Sequence, residues 1–383
     1  MNHTDVKTLL REVSRCIRCG LCKSSCPIFR VREPKWENAS PRGKMMLIEA
    51  ILKGKVNLTK KAVYELYACT LCKRCEETCP CDLKISDSLE IIRTKLVNLK
   101  KGPLPAHKKL VQSIERNFNP YHKPHQKRLK WSEKGIERQP NSEVFYFVGC
   151  TISYYLPEVA KSTIKILEKT GVKFTVDPEE KCCGSPLLRI GEISLAKKLA
   201  EHNVKLIKSS GVKKVLVSCP RCYKTLKIDY PNLLGKPLPF KVLHVSEYFS
   251  RLVAEKRLEF RKHVPLKVTY HDSCYLGRHC GIYSEPRTLL KNVFGVEIVE
   301  MKKNKEKALC CGGDENVKSA FSSISSAMSE KVVEEALKTG AEVLVDTCPF
   351  CELNISENLE KTSTKLKILD LTKILEDALN QDS

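Results

Sequence analysis

Lys214-Val-Leu-Val-Ser-Cys219-Pro-Arg-Cys222 decides how the larger part of this chain is read. A short β-branched run ends at a cysteine, and a proline then opens the next segment, the mark of a strand handing over to a helix. The same arrangement returns as Glu342-Val-Leu-Val-Asp-Thr-Cys348-Pro-Phe-Cys351. Working outward, Ser210 to Cys219 matches Thr339 to Cys348, and Lys241-Val-Leu-His-Val-Ser-Glu-Tyr answers Lys367-Ile-Leu-Asp-Leu-Thr-Lys-Ile. The carboxyl-terminal part is therefore an internal duplication.

The cysteines repeat with the framework. Cys150 is followed after 31 residues by Cys182-Cys183-Gly184 and after 35 more by Cys219 and Cys222; Cys274 is followed after 35 by Cys310-Cys311-Gly312 and after 36 more by Cys348 and Cys351. Val144-Phe-Tyr-Phe-Val148 runs into Cys150, and residues 194–208 have helical periodicity, so each copy predicts a small parallel α/β unit. Cysteines at the carboxyl ends of strands lie where open α/β sheets place their sites. Five thiols per copy exceed the four of a cubane or a tetrahedral zinc, and adjacent cysteines must serve neighbouring irons or bridge two, so the spacing implies an unusual cluster.

The amino-terminal part carries a different signature, CxxCxxCxxxCP, twice: Cys16, Cys19, Cys22 and Cys26-Pro27, then Cys69, Cys72, Cys75 and Cys79-Pro80. Three closely spaced cysteines wrap one cubane while the fourth, beyond the turn, reaches the other. The expected sets are Cys16, Cys19, Cys22 and Cys79 for one [4Fe–4S] cluster and Cys69, Cys72, Cys75 and Cys26 for the second. Zinc would use two cysteines from each arm and leave four unexplained. Residues 43–53, 59–68 and 86–96 have helical apolar faces, the last with a capping signal at Ser86, and predict an α-helical ferredoxin domain. Cys81 and Cys280 fall outside every set.

Composition bounds the rest. The 383 residues include 20 cysteines, too regularly spaced for a secreted disulfide scaffold, and metal is the first expectation. No apolar run is long enough to span a membrane and no secretory signal opens the chain, so a cytoplasmic protein is expected, peripheral to the membrane at most through a partner. The formal charge is +22, and residues 95–140 contribute +9 of it. Asn119 to Trp131 mixes prolines and cations and reads as a solvated basic connector. No aromatic-basic recognition motif accompanies the charge, so no nucleic acid is expected, and no GxGxxG follows a strand, so no flavin or nicotinamide is expected in this chain. The expected divisions are 1–100, ferredoxin domain; 101–142, basic linker; 143–260, first α/β repeat; and 261–383, second α/β repeat.

The cysteine spacing resembles the CCG domain of heterodisulfide reductases. The paired CxxCxxCxxxCP motifs, Ser40-Pro-Arg-Gly-Lys44, Tyr270-His-Asp-Ser-Cys274-Tyr-Leu-Gly-Arg-His279 and Glu285-Pro-Arg287 look most like the D-type polypeptide of that family. The resemblance implies an α+α/β fold, with an α-helical ferredoxin domain followed by two pseudo-symmetric α/β CCG domains with small parallel sheets. It also implies two noncubane [4Fe–4S] clusters, one on Cys150, Cys182, Cys183, Cys219 and Cys222 and one on Cys274, Cys310, Cys311, Cys348 and Cys351, acting as the catalytic groups. The implied activity is reduction of an anionic disulfide, like that of coenzyme M and coenzyme B, to two thiols, beside a redox partner that is a membrane b-type cytochrome or a flavoprotein. The alternative from the same resemblance is an electron-transfer subunit of a glycerol-3-phosphate, glycolate or lactate dehydrogenase-type complex. His271 and His279 are candidate proton donors or hydrogen-bonding residues of the cluster loop, and Arg189, Arg221, Arg278 and Lys224 are candidate cations for anionic substrate tails, with a solvated or structural charge the alternative for each.

Overall fold

The computed structural model describes residues 6–132, 136–362 and 364–379. Residues 1–5, 133–135, 363 and 380–383, inside the expected ferredoxin domain, basic linker and second repeat, lie outside the described residues.

Each repeat is built on a four-stranded, wholly parallel sheet. The first contains β1 (Val144–Phe147), β2 (Phe174–Thr175), β3 (Lys214–Val217) and β4 (Lys241–His244), in the order β2-β1-β3-β4. The second contains β5 (Leu266–Tyr270), β6 (Val296–Ile298), β7 (Val343–Asp346) and β8 (Lys367–Asp370), in the order β6-β5-β7-β8. The register is regular, Val144 opposite Lys214 and Phe147 opposite Val217 in one, Val343 opposite Lys367 and Asp346 opposite Asp370 in the other. All four residues of β1 are buried, as a parallel strand covered on both faces requires. The helices Pro157–Lys169 and Ile193–Ser209 make the crossovers of the first sheet.

This order fixes the site. The chain leaves β1 toward β2 and then returns past it to β3, so the strand order reverses between β1 and β3, and likewise between β5 and β7. A crevice opens beyond the carboxyl ends at such a reversal. Cys150 and Cys219 follow β1 and β3, and Cys274 and Cys348 follow β5 and β7.

The amino-terminal part is helical. Its main helices are Val6–Ser14, Pro41–Leu52, Lys60–Tyr67 and Ile85–Asn98, with short turns Leu21–Ser25 and Pro27–Val31 beside the first cysteine motif. Ser40 caps Pro41–Leu52 by accepting from Gly43 N at 2.9 Å, with Pro41 as the first helical residue. Position 43 admits only glycine, since a Cβ there would lie 1.9 Å from the Glu37 carbonyl oxygen. Ser86 differs from its expected capping role. The helix begins at Ile85, and Ser86, inside its first turn, donates from both N and Oγ to the Glu76 carboxylate, which supplies the negative charge that a helix start favours. One apolar core joins the two repeats; a second joins the ferredoxin helices to Cys150, Cys182, Cys274, Cys310 and Tyr275 of both repeats.

Candidate iron-sulfur sites

Cys16, Cys19, Cys22 and Cys79 line one cavity, and Cys26, Cys69, Cys72 and Cys75 line another. The fourth cysteine of each motif thus sits with the first three of the other. Left-handed backbone at Arg18, Leu71 and Lys73 curls the loops so that sulfurs face inward. Phe29 N at 3.5 Å from Cys26 Sγ and Leu71 N at 3.4 Å from Cys69 Sγ direct peptide donors at the sulfurs. Cys81 lines the first cavity without belonging to its four.

In the first repeat Cys150, Cys182, Cys183, Cys219 and Cys222 enclose one cavity together with Arg221, Glu315 and Phe350. Cys150 Sγ is 3.9 Å from Cys182 Sγ, and Cys222 Sγ is 3.5 Å from Cys183 Sγ. In the second repeat Cys274 meets Cys310, and Cys351 meets both Cys311 and Cys348. Gly184 and Gly312 follow the paired cysteines at φ of 82° and 81°, the conformation that turns the chain sharply there. Gly184 N points at Cys182 Sγ (3.5 Å) and Gly313 N at Cys311 Sγ (3.3 Å). Cys280 stands apart, its thiol pushed up to about 12 by burial.

These residues suit iron-sulfur clusters. Burial pushes Cys22 up to about 11 and Cys26 up to about 12, so crowded thiols resist ionisation until a positive core supplies the countercharge. In the five-cysteine sets the middle thiol behaves differently. Cys311 falls to about 6 because Cys310 and Cys351 both donate to it, and Cys183 falls for the same reason between Cys182 and Cys222. Cys310 and Cys348 of the second set are lowered as well, each by thiol donors of its own.

The sites are close neighbours. Cys72, of the second four-cysteine set, hydrogen-bonds Cys310 of the second five-cysteine set, and Cys310 Sγ lies 3.6 Å from Thr70 Oγ1. Cys348 in turn lies close enough to Cys219 for its charge to raise that thiol, after burial, which is the larger cause. The two repeats therefore face each other.

The four candidate cations are all paired within the protein. Arg189 is fully buried between Glu90 and Asp229, and Lys224 pairs with Asp229 at 2.6 Å. Arg221 pairs with Glu315 at 2.7 Å and Asp314 at 2.9 Å and lies over the Tyr275 and Phe350 rings. Arg278 donates to the carbonyls of Cys72, Glu306 and Ala308. The three arginines join one part of the chain to another, because a buried guanidinium must find partners for its fixed fork of donors. The histidines do likewise: His271 Nε2 meets the Leu309 carbonyl at 3.1 Å, and His279 Nε2 the Leu71 carbonyl at 2.8 Å. Arg93, which reads as one cation on an amphipathic helix, is fully buried and donates to the carbonyls of Leu66, Tyr67, Cys69 and Arg189. Nothing in its spacing signals this.

The basic segment packs on the first repeat through Asn119 and Arg128 while most of its cations stay exposed. Pro105–Asn117 is a helix, and the chain after it lies over the first five-cysteine site. Cys182 N donates to the Phe118 carbonyl at 2.9 Å, Tyr121 Oη lies 2.8 Å from Thr151 Oγ1, and buried Arg128 pairs with Glu180. Glu180 in turn accepts from Val148 N and Gly149 N, the two peptides before Cys150. No described helix is long and apolar enough to cross a membrane.

Comparison with known proteins accords with this geometry. Residues 144–227 and 268–356 match the CCG family, described as a cysteine-rich domain, and residues 12–83 match the 4Fe-4S dicluster domain family. The chain is 34% identical to the D-type polypeptide of the dihydromethanophenazine:CoB–CoM heterodisulfide reductase of Methanosarcina barkeri, over 97% of this chain and 95% of that protein. It is 30% identical to the B-type polypeptide of the CoM/CoB fumarate reductase of Methanothermobacter marburgensis, over 97% of this chain and 73% of that protein. A hypothetical protein from Helicobacter pylori shares the fold, with a TM-score of 0.60 and 11% identity over 99% of this chain and 77% of that one. With its helical dicluster region and two cysteine-rich α/β repeats, the chain is an iron-sulfur oxidoreductase subunit and belongs to the heterodisulfide reductase family, among its D-type polypeptides.

Proposed function

We propose that this chain reduces an anionic heterodisulfide, of the coenzyme M and coenzyme B kind, to its two thiols. The observation that carries the reading is the completeness of both five-cysteine sets, each gathered at a strand-order reversal. A chain that only relayed electrons would need no such pair of complete sets.

Cys16, Cys19, Cys22 and Cys79 would hold one cubane cluster, and Cys69, Cys72, Cys75 and Cys26 the other. Cys150, Cys182, Cys183, Cys219 and Cys222, and Cys274, Cys310, Cys311, Cys348 and Cys351, would hold two noncubane [4Fe–4S] clusters. Bound there, the clusters supply one-electron transfers, two of which with two protons convert a disulfide into two thiols. The protein's own part is positional. Arg93 and Arg278 fix the Cys69–Cys72 loop by its carbonyls, His279 clamps the same loop, and Arg221 holds the two repeats face to face. Electrons come from a redox partner, a membrane b-type cytochrome or a flavoprotein, on the cytoplasmic side; nucleic acid has no part.

The test is stoichiometric. The anaerobically purified, fully loaded chain, reduced by a viologen dye, should release two thiols per disulfide for two electrons consumed. Full cluster content without thiol release would remove the reading. A second reading, an electron-transfer subunit of a glycerol-3-phosphate, glycolate or lactate dehydrogenase-type complex, is favoured by the closure of the first five-cysteine site under Phe118, Tyr121 and Phe350. That reading predicts no thiol release.

A further inference from the structure

The two five-cysteine sites differ in access. The first is shut: its cavity measures about 10 Å³, room for about one water, and the Phe118–Arg128 segment lies across it. The second is packed under the Thr70–Cys72 turn at Cys310, yet it keeps one open side. A cavity of about 230 Å³ opens between the turn Pro27–Val31 and the helix Ser322–Leu337, with Cys310 in its wall.

Its chemistry is specific. Pro27, Val31, Leu309 and Met328 give it apolar walls beside the Cys310 sulfur. Its rim carries Arg30, Lys303, Lys331 and Lys338 against two carboxylates. Lys331 pairs with Glu334 at 2.7 Å, while Lys338 at 3.3 Å and Lys303 at 3.6 Å share Glu335. Arg30 donates to the Ser24 carbonyl at 3.4 Å and has no carboxylate partner among the described residues. The cations outnumber the anions, and an apolar pocket with an unbalanced positive rim attracts a small molecule with an alkyl-sulfur body and an anionic tail. The volume is more than twenty times that of the first site's cavity, enough for one arm of a short disulfide.

We infer that this cavity binds an anionic arm of the sulfur substrate and brings it to the second five-cysteine site through the Cys310 face. Arg30 and Lys331 hold the tail. The inference rests on the disulfide reading above and names the side on which substrate enters.

The experiment measures binding rather than turnover. Calorimetry on the oxidised, cluster-loaded full chain compares 3,3′-dithiodipropionate, a dianion, with uncharged bis(2-hydroxyethyl) disulfide. The dianion should bind about ten-fold tighter, and Arg30→Glu and Lys331→Glu should each weaken it about ten-fold with cluster spectra unchanged. Lys197→Glu, an exposed charge on the helix Ile193–Ser209, should leave affinity unchanged. Equal affinity of wild type and both rim variants excludes the cavity while the disulfide reading stands, as does a wild-type chain that reduces disulfides without binding the dianion. A loaded chain that neither binds nor reduces any disulfide overturns both.

Discussion

His279 Nε2 lies 2.8 Å from the carbonyl oxygen of Leu71, a bond between residues 208 apart in sequence. Its ring stacks on Tyr275 at 4.5 Å, and the adjoining Arg278 Nε donates to the Cys72 carbonyl at 2.6 Å. A nitrogen that faces a carbonyl must carry the proton. Burial, with Lys224 and Lys73 nearby, holds the ring well below the ordinary histidine range, so it is a neutral donor near pH 7. His279 is a positioning residue: it fixes the loop whose Cys72 touches Cys310.

Replacing it therefore affects the loop. His279→Ala should cost about 1–3 kcal/mol of stability, the penalty for an orphaned buried carbonyl. It should also change the paramagnetic resonance spectrum of the cluster on the Cys69–Cys75 loop, while His279→Gln, which retains a donor, restores part of both. A variant with lowered stability and an unchanged spectrum would reduce His279 to packing alone.

The crossed arrangement of cysteines predicts which cluster each one controls. Cys26→Ala should perturb the cluster of Cys69, Cys72 and Cys75 and leave that of Cys16, Cys19 and Cys22 intact, since Cys26 lines the former cavity. Selective reduction followed by resonance spectroscopy distinguishes the two. Loss of the cluster next to Cys26 in sequence instead would contradict the arrangement.

Arg189 joins the ferredoxin region to the first repeat through Glu90 and Asp229, all three buried. Removing one member of a buried ion network leaves uncompensated charge. Arg189→Ala should cost about 3–5 kcal/mol, and adding Glu90→Gln and Asp229→Asn should recover a large part of that. Denaturant unfolding under anaerobic conditions measures both, and a triple variant no more stable than the single one would show that charge is not the cause.

Much of this organisation is legible in sequence, and the boundary has a physical basis. The cysteine spacings and the matched runs ending at Cys219 and Cys348 are local patterns, so they expose the helical dicluster region, the duplication and the strand-end cysteines directly. Contacts between distant segments leave no such trace. Arg93 looks like a surface cation because helical periodicity cannot show that another domain covers it. Residues 119–131 resemble a linker in their prolines and cations, and Lys123, Lys127 and Lys130 are indeed exposed, but nothing local shows that Asn119 and Arg128 are buried. Ser86 has the composition of a cap, yet Glu76, folded back from the cysteine loop, does the capping.

Two buried histidines give a pH dependence outside the cysteine sites. Burial lowers His107 to about 4 and His244 to about 3. His244 Nδ1 accepts from Ser246 N at 3.2 Å, so protonation there would break the cap of the helix Val245–Ala254. Unfolded histidine takes up its proton near pH 6.5, and the folded rings do so only far lower. The unfolded state thus binds more protons below 6.5, and stability is full above that value and falls as pH drops toward 4. At pH 5.5 each ring should account for about 1 kcal/mol. His107→Gln and His244→Gln should flatten the fall in melting temperature between pH 7.5 and 5.5; variants with the wild-type slope would assign the dependence elsewhere.

The most direct test of the disulfide-reducing account is the turnover of loaded Cys183→Ala and Cys311→Ala chains, each lacking the second cysteine of its adjacent pair. Reduction of the heterodisulfide by a reduced dye should be lost in both, while the clusters of the amino-terminal region still accept electrons at the wild-type extent. Undiminished disulfide reduction in either variant would contradict the account.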